Sequence, residues 1–306
     1  MKTLIMLAAA AVATPAPKAA LAPSEIVAAA PASDWVAIPE SDLLVMDLAN
    51  GKRVVIQLMP PPFSQGWVGN IRKLAAARFW DGTSVNRVQD NYVVQWGDAN
   101  AEDKAKAKPL PPGLAKVPQS EYATAVARFG SFQDLEKHLS REYEDYMQRD
   151  PFAEAALHLR GWQTAIRFQE IWPVHCYGMV GVGRDIPPDT GTGAELYTVI
   201  GHAPRHLDRN IALVGRVISG IEHLSSLPRG TGALGFYEKP EERAGITSIR
   251  LGTDVKDVQR FEYLSTESAS FAKYADARAN RRDPFFIQPT GGADICNIPV
   301  PVRVAK

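Results

Sequence analysis

Residues 80–98 read Trp80-Asp-Gly-Thr-Ser-Val-Asn-Arg87-Val-Gln-Asp-Asn-Tyr92-Val-Val-Gln95-Trp-Gly-Asp98. Asp81-Gly82-Thr83 is a turn signal, and Ser84–Val88 and Tyr92–Trp96 read as two short strands after it. Upstream, Leu43–Leu48 and Arg53–Leu58 flank Asn50-Gly51, the dipeptide that favours a type I′ hairpin turn. Pro60-Pro61-Pro62 ends the return strand. Between Trp67 and Ala77, Val68, Ile71, Leu74 and Ala75 recur at helical spacing and share one face. Downstream, strand character returns at Cys176–Val182, Leu196–Ile200, Ile211–Val217 and Ile246–Leu251. Ser219–Leu227 and Thr266–Arg282 read as helices, and Asp283–Lys306 as a coil tail. Several short strands with few helices predict a closed or sandwiched antiparallel sheet, a mainly β protein.

The run Ala101–Pro173 differs. Ala101–Lys108 is a solvated turn, and Ser131–Arg149 places Phe132, Leu135, Leu139, Tyr143 and Tyr146 on one stripe of an amphipathic helix. Pro151–Trp162 continues as a second helix, so the run predicts a helical insertion with little β signal. At the other end, Lys2 and the apolar stretch Leu4–Ala13 have signal-peptide layout and are too short to span a bilayer. Residues 1–32 are then signal peptide and linker, and the protein is expected to be exported to the periplasm. The domain is expected over 33–255, with the insertion at 101–173 and a helical extension and tail over 256–306.

The 306 residues carry 34 basic and 34 acidic side chains, a formal net charge of zero. That balance argues against a bulk electrostatic grip on nucleic acid or anionic lipid. No membrane partner is expected once the signal peptide is removed. Two cysteines exclude a disulfide scaffold and a four-thiolate zinc site. In an oxidising compartment Cys176 and Cys296 are a candidate pair, with two buried thiols as the alternative. Gly178-Met-Val-Gly181-Val-Gly183 lacks the dinucleotide spacing. His202 and His206 lack a third ligand and an intervening Glu, and Pro204 between them breaks a helix, so a metal site is not expected.

A second block reads Leu196-Tyr-Thr-Val-Ile-Gly-His-Ala-Pro-Arg-His206-Leu-Asp208-Arg-Asn-Ile-Ala-Leu-Val214-Gly215-Arg-Val-Ile-Ser-Gly220. Together the two blocks resemble the cyclophilin-type peptidyl-prolyl isomerases, from Leu43 to about Leu251. The resemblance implies an eight-stranded antiparallel β-barrel capped by two helices. It also implies catalysis of X-Pro isomerisation on proline-containing polypeptides, without a cofactor. Rotation about a peptide bond faces a barrier of about 18–20 kcal/mol, because amide resonance must be broken. X-Pro bonds populate both isomers and exchange slowly. A catalyst must favour the twisted amide, whose nitrogen has become basic, over the planar one. A fixed guanidinium aimed at that nitrogen does so.

Arg87 matches the family's catalytic arginine, and Gln95 the glutamine that orients it. Tyr92 and Val93 match the aromatic and methionine positions of the proline slot, and Val85 replaces a usual phenylalanine. Val180 and Gly181 fall near the segment whose backbone binds the extended peptide. Leu196, Thr198, His206, Leu207 and Ile211 align with the second wall. The departures are Val85-Asn86 for the usual Phe-His, Leu196-Tyr197-Thr198 for Gln-Phe-Phe, and Ile211 for a pocket histidine. They predict a differently shaped pocket. Two other functions stay open: a non-catalytic peptide-binding module or chaperone on the same scaffold, and a hydrolase built on His175, His202 and His206.

Overall fold

A computed structural model of the protein describes residues 19–130 and 150–305. The apolar N-terminal stretch and the helix expected over Ser131–Arg149 lie outside them. Chain order begins with α1 (Pro23–Ala29) and β1 (Trp35–Ile38). The hairpin β2 (Leu43–Leu48) and β3 (Arg53–Leu58) follows. Its turn is not the two-residue type I′. The Leu48 N–H bonds the Lys52 carbonyl, and of the three residues between them only Gly51 has positive φ. A three-residue loop with glycine in the left-handed position satisfies the strands' twist equally well.

Next come α2 (Gln65–Ala76), β4 (Ser84–Val88) and β5 (Val93–Gly97). Beyond the insertion lie β10 (Met179–Val182), β11 (Leu196–Val199), β12 (Leu213–Ser219), α3 (Ile221–Ser225) and β13 (Ala244–Leu251). Eight strands close into an antiparallel barrel in the order β10-β11-β5-β4-β13-β2-β3-β12. Alternation along each strand sends every second side chain inward. Met46, Ile56, Val85, Val94, Trp96 and Leu196 are thus fully buried in one continuous core. The buried face of α2 (Trp67, Val68, Ile71, Leu74) belongs to the same core, and α3 packs on β3.

The insertion is corrected. Residues Pro151–Trp162 are not a helix: β7 (Ala155–Leu159) and β8 (Trp162–Arg167) form a hairpin, continued by β9 (Glu170–Pro173) and β6 (Thr124–Ala125) in a four-stranded sheet. Ala-rich propensity favoured a helix here. It loses to the Arg160-Gly161 turn, where both residues have positive φ, and to burial of Leu157, Leu159, Trp162 and Ile171 against the barrel.

The C-terminal extension is likewise more than a helix and coil. β14 (Phe261–Leu264) pairs with β1 on one side and with β15 (Val302–Val304) on the other. The helix α4 (Ala269–Ala279) covers this sheet with Phe271 and Tyr274. Ile26 and Val27 of α1 pack into the same cluster, so part of the segment read as linker is a structural element. Cys176 and Cys296 are disulfide-bonded, with Cα atoms 5.1 Å apart, and tie this unit to the start of the barrel's second half. No helix among the described residues is long and apolar enough to cross a membrane.

Candidate functional site

The position of Arg87 follows from an irregularity in β4. Val85 pairs with Trp96, but the next paired residue, Arg87, faces Gln95, so β4 carries an extra residue at Asn86. Such a bulge re-aims the side chains around it. It lets both Val85 and Val88 point into the barrel while Arg87 turns outward beside Gln95. Asn86 fills the irregularity, donating from Nδ2 to the Gly97 carbonyl at 3.1 Å.

Three acceptors and two aromatic rings surround the guanidinium. Its Nε donates to the Leu234 carbonyl at 2.7 Å and its Nη1 to Gln95 Oε1 at 3.0 Å. Nη2 donates to Gln89 Oε1. Phe236 and Tyr92 lie beside it, with ring centroids 5.4 and 5.7 Å from Cζ. Partial burial draws the Arg87 pKa down, and the nearby Tyr92 and Glu195 oppose that. Guanidinium nevertheless stays charged in neutral water. The result is an oriented cation at the rim of an apolar shelf.

The shelf is a separate small cluster of Val93, Tyr197 and Val199, with Tyr92 and Ile211 packed against it. The exposed His206 ring stacks parallel on Tyr92 at 6.4 Å, and Leu207 beside it is half-buried. The fold thus brings Arg87, Gln95, Tyr92, Val93, His206 and Ile211 together on one face of the barrel, with Leu207 next to His206 in the chain.

Five assignments are corrected. Val85, Leu196 and Thr198 point into the barrel and are fully buried, so none of them lines the shelf. Thr198 spends its hydroxyl on the Met179 carbonyl. The residue between them, Tyr197, faces the shelf and pairs in register with Gln95. A one-residue offset in reading a strand exchanges its two faces, and the second block had been read one residue late. Val180 points inward too, and β10 is paired on both sides, by β11 and β12. The backbone of Val180 and Gly181 is therefore committed to the sheet. The chain leaves that double pairing at Gly183 and Arg184, which open onto a cavity of about 670 Å³ shared with Gln95, Glu195, Phe236 and Tyr237.

Beneath the shelf runs a buried polar chain that the sequence reading missed. Asp208 accepts hydrogen bonds from the backbone N–H and Nδ1 of His175, at 3.0 and 2.9 Å. On the other side of the ring, His175 Nε2 and the Tyr197 hydroxyl are hydrogen-bonded at 2.8 Å. Arg205 bonds Asp208 at 2.6 Å and Asp150 at 2.8 Å. Burial alone would raise the Asp208 pKa, but His175 and Arg205 outweigh it and hold the pKa low. Burial pushes the Tyr197 phenol well above its usual value, so it stays protonated. The absent side chain of Gly181 makes room for this hydroxyl, since a Cβ there would collide with Tyr197 Oη. His175 is sealed in the wall, whereas His202 and His206 are exposed. The wall formed by Leu234 and Phe236 was also missed. Only tertiary folding brings that loop to Arg87, where Phe236 forms an isolated bridge with it.

This geometry has relatives. The family described as "Cyclophilin type peptidyl-prolyl cis-trans isomerase/CLD" matches residues 46–251. A solved cyclophilin from Hirschia baltica, AquaCyp293, superposes with a TM-score of 0.65 at 20% identity, over 89% of this chain and 94% of that one. A Cryptosporidium parvum cyclophilin-type isomerase, solved in the presence of the dipeptide Ala-Pro, gives 0.39 at 11% identity, over 68% of this chain and 98% of that one. No curated protein sequence matches significantly. The matched span holds the closed barrel from β2 to β13, the bulge that turns Arg87 outward and the shelf beside it, and on that match the chain belongs to the cyclophilin-type peptidyl-prolyl cis-trans isomerase family.

Proposed function

We propose that the protein accelerates X-Pro isomerisation in polypeptides that fold outside the cytoplasm. The observation that carries the mechanism is the Arg87–Gln95 hydrogen bond at 3.0 Å, at the rim of the Tyr92–Val93–Tyr197 shelf. The proline ring lies on the shelf, which excludes water from it. The amide nitrogen, pyramidal at the twisted state, then faces a guanidinium that need not reorganise to meet it. Attraction is stronger for the twisted amide than for the planar one, because only the twisted nitrogen has a free lone pair, and that difference is the catalysis. Peptide residues before the proline run past Gly183 and Arg184 along the cavity. The Ala-Pro dipeptide named with the Cryptosporidium protein is consistent with this substrate class.

An exported location is supported by the apolar stretch Leu4–Ala13 and by the Cys176–Cys296 disulfide, a bond that persists in oxidising compartments. The test is a protease-free isomerisation assay on a proline peptide. Arg87→Ala is expected to lower kcat/KM by about 10²-fold, the scale of losing one preorganised electrostatic group. Arg87→Lys is expected to recover little, because an ammonium cannot hold Leu234, Gln89 and Gln95 together. Equal rates for wild type and Arg87→Ala would remove the catalytic assignment.

A further inference from the structure

We propose that Glu195 is a positioning residue that fixes the direction of the Gln95 amide and, through it, the aim of Arg87. Gln95 Oε1 accepts from Arg87 Nη1 at 3.0 Å, and Gln95 Nε2 donates to Glu195 Oε1 at 2.6 Å. A guanidinium can only donate and a carboxylate can only accept. An amide held between the two has one satisfied orientation. Reversed, its NH2 would meet the Arg87 N–H groups and its oxygen would meet the carboxylate. If Glu195 is replaced by an amide, or takes up a proton, it can donate as well as accept. Both orientations of Gln95 then become available, and the Nη1 end of Arg87 loses its fixed acceptor. The Leu234 carbonyl and Gln89 hold the other parts of the guanidinium, so Gln95 is the contact that sets this end.

The surroundings keep Glu195 in place. Its own carbonyl accepts from the Gly183 N–H at 2.8 Å. Its stem passes between Gly183 and Gly97, where an added Cβ would lie 3.0 and 3.3 Å from Glu195 Cγ. Two glycines thus shape a slot for one carboxylate that opens onto the cavity beside Gln95. Charged side chains line the cavity onto which it opens. Asp98, Glu102 and Lys108 come from the loop after β5, Arg184, Asp185 and Asp189 from the loop after β10, and Arg243 from just before β13. Arg87 attracts it, Glu102 repels it, and burial, the largest influence, raises its pKa above the ordinary carboxylate value. Neutralisation of Glu195, and with it release of the Gln95 amide, is therefore reached at higher pH than for a free glutamate.

This inference rests on the isomerase reading, and its test separates the two. The side-chain amide resonances of Gln95 are followed by NMR against pH in wild type and Glu195→Gln, alongside kcat/KM from the isomerisation assay. The Gln95 resonances are expected to titrate in wild type and to lose that titration in Glu195→Gln. The wild-type rate is expected to fall on the acid side through the same midpoint. Glu195→Gln should lose that limb and be slower at neutral pH by roughly 3- to 10-fold, the scale of one hydrogen bond. Any acid limb that arises elsewhere in the protein is common to both and cancels in the comparison. A Gln95 amide that does not titrate in folded wild type overturns the proposal, as does an unchanged rate and pH profile in Glu195→Gln. The amide measurement needs no activity. Wild-type protein that is inactive but shows the titration overturns the isomerase reading and leaves the Glu195 relay standing.

Discussion

Tyr197 is the residue on which the shelf rests. Its ring lies among Val93 and Val199, and its hydroxyl reaches down to His175, so one side chain joins the apolar surface to the buried polar chain. The chain runs on through Asp208 and Arg205 to Asp150 of the insertion, just ahead of β7. Tyr197→Phe keeps the ring but leaves His175 Nε2 buried without its hydrogen-bond partner. The expected cost is about 1–3 kcal/mol of unfolding free energy, read from urea titration. Because the ring remains, kcat/KM should fall far less than in Arg87→Ala. A Tyr197→Phe protein as stable as wild type would show that His175 finds another partner. The placement of Glu195 and of Tyr197 depends on the room left by the glycines at 97, 181 and 183.

At the scale of elements, the hairpin β7–β8 carries two tests. Gly161 has φ +84, and a Cβ there would run into the Tyr263 ring. Gly161→Ala should destabilise by at least about 1–2 kcal/mol from the left-handed backbone alone, measured by urea unfolding. His158 on β7 is wholly buried, donating to the Ile298 carbonyl at 2.8 Å with the Phe271 ring 4.9 Å away. Burial pulls its pKa from 6.5 down to about 4. The unfolded chain therefore binds a proton that the folded protein refuses. Stability from this site is whole above about pH 6.5 and is lost as pH falls towards 4. The loss reaches about 3 kcal/mol at most. Unfolding midpoints at pH 7 and pH 5 should differ more in wild type than in His158→Gln, and equal differences would assign the acid sensitivity elsewhere. The bulge in β4 makes the same point about elements, since one extra residue decides which way Arg87 points.

Across the whole molecule, three layers meet on one arginine. Arg216 of β12 is buried, donates to Gln57 and to the Gly161 carbonyl, and stacks on Trp162 at 4.4 Å. Barrel and accessory sheet are thereby fastened together, and Tyr263 of the C-terminal sheet lies 5.8 Å away on the same cation. Burial lowers its pKa to about 10, which leaves it charged at neutral pH. The Cys176–Cys296 bond fastens the same unit covalently across 120 residues. A loop of that length restricts the unfolded chain by about 4–5 kcal/mol in the chain-entropy model. The double variant Cys176→Ser/Cys296→Ser is expected to unfold at clearly lower urea than wild type while keeping isomerase activity at neutral pH. A midpoint unchanged from oxidised wild type would show that the packing of α1, α4 and the three-stranded sheet suffices without the bond.

The alternation and turns of residues 43–98 and 196–251 predicted a closed or sandwiched antiparallel sheet, because strand period and turn chemistry are local properties, whereas the family and the candidate pair Arg87 and Gln95 came from the resemblance of residues 80–98 and 196–220 to the cyclophilin-type isomerases. Local signals were not enough for the insertion, where Ala-rich local propensity pointed to helix and long-range burial against the barrel made strands. Nor could they give the face of β11, because a one-residue offset looks the same in a short apolar run until a neighbouring strand sets the register. Glu195, His175, Leu234 and Phe236 entered the site only through tertiary structure. Each lies far along the chain from Arg87, and no local pattern records which distant groups a closing barrel brings within hydrogen-bonding reach.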